Sequence, residues 1–141
     1  MRLHAHYHSA GQGHIYQGRF KSFPVQVDEH SVVVCHYVKR NALRAGLVNR
    51  AEAWKGSLAR WLGKPDSAPK LLSPWPIRRP PNWVTRVNQP LTEPELEAVR
   101  HSIKRGRPFG DSRWTEATAQ CLGLQTTLRP RGRPAEARKE S

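Results

Sequence analysis

The 141 residues predict an α+β chain, one short strand leading into helices, followed by a mainly helical, proline-rich C-terminal part and a basic tail. Three observations predict it. Phe23, Val25 and Val27 alternate with Pro24 and Gln26, which reads as a strand with one apolar face. Beyond Asp28, the residues Val33, Tyr37, Arg40, Asn41 and Arg44 recur at spacings of three and four, the period of a helix face. From Thr92 onward, capping residues and apolar stripes mark two further helices.

In chain order, His4, His6, His8 and His14 come first and read as part of a basic loop. His4-Ala5-His6 would place two imidazoles on one side of a strand, where neutral rings bind metals, but no apolar strand surrounds them; a displaced metal site is the alternative. Pro24 makes the following strand an edge strand or an irregular one. Asp28 or Glu29 caps the next helix and Gly46 ends it, so Tyr37, Arg40, Asn41 and Arg44 are expected on one face. A phenol ionises near pH ~10, so a tyrosine that attacks a phosphodiester needs positive charge beside it. Cys35 and Cys121, the only two cysteines, are expected to be reduced, small apolar fillers; a disulfide between them is the alternative.

From Asn49 to Gln89 the chain carries Trp54, Trp61, Trp75 and Trp83 among prolines, with regular structure expected only in short pieces such as a brief helix ending at Gly63 and an exposed loop from Lys64 to Lys70. These tryptophans either hold a small core or, interleaved with basic residues, stack on single-stranded DNA at ~1–3 kcal/mol per base. Thr92 and Glu95 form a capping box with Pro94 in the first turn, and Leu96, Val99 and Ile103 form the stripe of a helix ending at Gly106. Asp111 or Ser112 starts a second helix with apolar positions Trp114, Ala117, Cys121 and Leu122. The pair is open to description as a helix-turn-helix. Arg131-Gly132-Arg133-Pro134, preceded by Arg129, looks like an AT-hook that lies in a narrow minor groove, or else a solvated basic tail.

A formal net charge of +13 and a pI near 10.9 call for a polyanionic partner. Nucleic acid leads; an anionic membrane surface competes, although no stretch approaches the ~20 apolar residues of a span. Twelve prolines, ten glycines and a mean hydropathy of −0.73 limit the core and favour small packed units.

Two blocks, Tyr16-Gln17-Gly18-Arg19-Phe20-Lys21-Ser22 and His36-Tyr37-Val38-Lys39-Arg40-Asn41-Ala42-Leu43-Arg44-Ala45-Gly46-Leu47-Val48, resemble the single-tyrosine HUH transposases, especially the REP-associated tyrosine transposases. The resemblance runs from about His6 to Pro134. It implies the end of a ferredoxin-like domain, strand then tyrosine helix, without the upstream His-hydrophobic-His half, so that the chain is expected to be N-terminally truncated and inactive alone. It further implies Tyr37 as the nucleophile that forms a 5′-phosphotyrosine, and Arg19, Lys21, Arg40 and Arg44 on phosphates. Asn41 would face a divalent metal, Mg or Mn, were the missing motif supplied. Arg129, Arg131 and Arg133 of the tail are the remaining expected DNA contacts. Single-stranded or hairpin DNA is the expected partner, with a homodimer or an intact transposase as alternatives and the nucleoid of the cytoplasm as the place. The expected organisation is a partial catalytic domain over 1–63, a connecting segment over 64–90, a two-helix unit over 91–124 and a tail over 125–141. A non-catalytic DNA-binding remnant or regulator is the second reading.

Overall fold

The computed structural model describes residues 21–56, 75, 77–130 and 132. The four N-terminal histidines, the Tyr16 to Phe20 block with Arg19, the brief helix expected near Gly63, the 64–70 loop, Arg131 and Arg133 lie outside the described residues.

These residues are α-rich. Helix α1 (Glu29–Lys39) begins because Asp28 takes a non-helical backbone and its carboxylate accepts from the His30 N–H at 2.8 Å. At Arg40 the chain leaves the helix for one residue and resumes as α2 (Asn41–Arg44). Gly46, at φ +70°, then stops it, and Leu47 N–H reaches back to the Ala42 carbonyl at 3.0 Å, closing the turn in the expected place. A 3-10 turn at Ala51–Ala53 leads away. Helix α3 (Trp83–Asn88) is short; α4 (Glu93–Arg105) carries the Thr92/Glu95 capping box and ends at Gly106, φ +69°. Helix α5 (Ser112–Cys121) is capped by Asp111, which accepts from Trp114 N–H at 2.9 Å.

The expected strand does not form. Its one sheet-like contact is an isolated parallel bridge from Val25 to Phe109, with Gln26 N–H donating to Phe109 O and Phe109 N–H to Pro24 O, both at 2.9 Å. The bridge stops on both sides: Pro24 lacks the N–H that would extend the ladder backward, and the Gln26 carbonyl that would extend it forward already accepts from Asp28 N–H at 3.0 Å. Val27 is 61% exposed, so the alternation also lacks an apolar face. Among the described residues there is therefore no strand, and the ferredoxin-like α+β expectation is corrected to an α-rich packing.

Val32, Ala51, Trp83 and Val87 form the core, with Cys35, Trp75 and Ile77 packed against it, so α1 lies on α3. It also lies on α4, and the side chain of Gln26 holds the start of α5: it accepts from Asp111 N–H at 2.8 Å and donates to the Asp111 carboxylate at 2.9 Å. The tyrosine helix and the C-terminal helices thus share one packed body. In α5 the buried positions are Thr115 and Ala119, not Ala117, Cys121 and Leu122, which are exposed. The stripe is turned because Thr115 buries its hydroxyl by donating to Gly110 O at 3.1 Å, which a pattern of apolar residues cannot reveal. Both cysteines are free; Cys35 is half-buried, whereas Cys121 is exposed and fills nothing.

Candidate nucleic-acid site

Three of the four residues expected on one face do converge. Tyr37, Arg40 and Arg44 line a cavity of 120 Å³ with Pro90, Leu91, Glu93 and Leu96. Ligand pockets run to roughly 300–1,000 Å³, so this one is the size of a phosphate group and not of a nucleoside. The Arg44 guanidinium lies 4.4 Å from the centre of the Tyr37 ring, and its Nη2 donates to Asn41 Oδ1 at 2.8 Å. Tyr37 and Arg44 stand seven residues apart, two helical turns, and the i→i−4 bonds from Arg40 N–H to His36 O and from Arg44 N–H to Arg40 O carry that face across the one-residue break.

Arg40 does something else. Its Nη1 donates to the Val87 carbonyl at 3.3 Å and to the Asn88 carbonyl, while His36 Nε2 donates to Gln89 O at 2.9 Å. His36 of α1 and Arg40, which caps it, therefore satisfy three successive carbonyls at the C-terminal end of α3. Arg40 borders the cavity with part of its hydrogen-bonding capacity already committed to the fold. Burial pulls His36 below the usual imidazole range, the neighbouring Arg86 and Arg40 pull it further, and only the Gln89 carbonyl and Glu95 oppose them. His36 is thus a neutral donor, its ring edge-on to Trp83.

Asn41 lines a different groove, of 420 Å³, with Val34, Cys35, Val38, Lys39, Ala42, Trp54 and Gly56. Its side-chain oxygen faces a guanidinium where a metal ion would have to stand, and among the described residues no three His, Cys, Asp or Glu side chains come together.

Lys21 and Arg129 are exposed. The carbonyl of Arg129 is held by Arg105, whose guanidinium also reaches the Thr126 and Thr127 carbonyls at 3.2 and 3.4 Å. The same tetrapeptide occurs earlier as Arg105-Gly106-Arg107-Pro108, and there it is structural: Gly106 ends α4 and Arg105 ties down the root of the tail. Two further residues join the picture without any local mark in the sequence, because Glu93 comes to the tyrosine cavity, and Lys39 to Trp75, only through folding. No helix among the described residues is long and apolar enough to cross a membrane. Comparison with protein families, curated proteins and solved structures finds no match to this chain.

Proposed function

We propose that this chain binds DNA, single-stranded or folded into a hairpin, as a relative of the single-tyrosine transposases, with Tyr37 as the group that attacks a phosphodiester. The observation that carries the reading is the stacking of Arg44 on Tyr37 at the mouth of a phosphate-sized cavity, in a chain of net charge +13. Attack by the Tyr37 oxygen on phosphorus forms a P–O bond to the phenol and breaks the bond to the 3′-oxygen. The phenol gives up its proton, the 3′-oxygen leaves as a hydroxyl after gaining one, and the phosphate stays on the protein as a 5′-phosphotyrosine. Arg44 offsets the negative charge that develops on phenol and phosphate. Glu93, on the same cavity, sets a limit: its carboxylate repels a second phosphate oxygen and favours a single, singly charged diester.

The second reading is a DNA-binding protein without cleavage. It is favoured by the commitment of Arg40 to the α3 carbonyls and of Asn41 to Arg44, which leaves one arginine at the tyrosine for a phosphate. A denaturing-gel assay with labelled hairpin DNA separates the two, run with and without Mg²⁺ or Mn²⁺ and with Tyr37→Phe as control. A covalent band lost in Tyr37→Phe establishes the nucleophile. A native-gel shift with no covalent band under any condition overturns it in favour of the binder. No shift at all overturns both.

A further inference from the structure

A second cationic cluster stands away from the tyrosine cavity. Lys39, at the end of α1, places its Nζ 5.4 Å from the centre of the Trp75 ring, and the Arg79 guanidinium lies 5.1 Å from the same centre. Trp75 is fixed in turn, edge-on to the buried Trp83 at 5.0 Å. Two positive side chains from segments forty residues apart are thus gathered on one indole, and neither meets a carboxylate among the described residues. Like charges so placed repel, and partial burial makes it worse: burial, opposed by the nearby Cys35 and joined by a smaller push from Arg79, holds the Lys39 ammonium below the ordinary lysine range. An anion bound beside these cations relieves both costs. The indole contributes by holding long, mobile side chains in place before any ligand arrives. Lys39 also borders the 420 Å³ groove that contains Trp54, 43% exposed, so a strand crossing Lys39 has an aromatic surface next to it.

We infer that Lys39 and Arg79 form a second phosphate-binding site for nucleic acid, held on Trp75, through which the strand passes on a face distinct from the tyrosine cavity. The inference rests on the DNA-binding reading above. Because Trp75 has two cations against its ring, it serves as a support for the charges, and the neighbouring Trp54 is the tryptophan open to a base.

The test is a salt titration of the full chain on a labelled fifteen-nucleotide oligothymidine, followed by anisotropy. For single strands the slope of log K against log salt falls by about 0.7 for each phosphate that is no longer neutralised, so Lys39→Gln/Arg79→Gln should flatten it by about 1.4. Lys39→Arg/Arg79→Lys should restore it, and a charge-matched Arg100→Gln/Arg113→Gln variant, altered at exposed positions of α4 and α5, should leave it unchanged. Equal slopes for the two Gln variants, or no change in either, overturn the inference while leaving DNA binding intact. Failure of the unaltered chain to bind the oligonucleotide overturns the DNA-binding reading itself. Loss of binding to phosphatidylglycerol vesicles in the Lys39/Arg79 variant, with the oligonucleotide slope unmoved, would assign the pair to a lipid phosphate and overturn the nucleic-acid assignment.

Discussion

At Gly110 the chain has no room for a methyl group. A Cβ there would stand 2.4 Å from Trp114 Cε3 and 2.5 Å from Gln26 Oε1, the atom that holds the start of α5. Gly110→Ala should lower stability by about 1–3 kcal/mol, read as a shift in the urea midpoint. Trp83 is 3% exposed and carries the core, so Trp83→Ala should cost about 3–5 kcal/mol in the same measurement. The two arginines of the cavity should separate cleanly. Arg40→Ala leaves the α3 carbonyls without their charged donor and should destabilise by about 1.5–3 kcal/mol. Arg44→Ala removes an exposed cation–π contact worth about 0.5–1 kcal/mol, yet should weaken DNA binding in an anisotropy titration. Equal losses of stability in the two variants would contradict this division.

Between elements, the clasp of α1 on α3 makes stability depend on pH. His36 is held neutral in the fold, so the unfolded chain takes up the proton more readily. Its contribution is intact above the unfolded pKa of about 6.5 and is lost as pH falls through the lower, folded value. Thermal unfolding should therefore shift down between pH 7.5 and 5, and His36→Gln, which keeps a neutral donor, should flatten that decline. At the head of α4, hydrogen bonds from Thr92 hold Glu95 below the usual carboxylate range, and Thr92→Ala should cost about 1 kcal/mol by loss of the cap. Elements with such local signals were legible in the sequence: Asp28, Gly46, Thr92 with Glu95, Gly106 and Asp111 all sit where their chemistry placed them. The strand was not, because alternation alone does not supply a partner, and a pairing with Phe109 between two prolines is set by tertiary packing. The rotated stripe of α5 escaped for a related reason, since a threonine with a buried carbonyl partner behaves as an interior residue.

Across the whole molecule, the excess of positive charge forecasts strongly salt-dependent association with any polyanion, and its distribution decides where contact occurs. The convergence of Tyr37 with Arg40 and Arg44 was legible from helical spacing. The division of labour among them was not: it depends on carbonyls of α3 that lie more than forty residues away and have no mark in the sequence. Lys39 and Arg79 escaped for the same reason, being neighbours only once Trp75 is seated.

The pairing of Gln26 with Asp111 has a temporal consequence. The two residues are 85 positions apart, so a chain emerging from the ribosome at roughly 5–20 residues per second spends about 4–17 s with the first partner made and the second not yet synthesised. During that interval Val25 and Gln26 have neither their bridge nor their side-chain bonds, and α1 lacks the helix α4 that later covers it. Closing so long a loop also slows the final step, since distant contacts are rewarded only after the intervening chain has been ordered. The tyrosine cavity, more than half of whose lining residues come from 90–96, is accordingly among the last features to be completed, and the nascent protein carries Tyr37 before that wall exists.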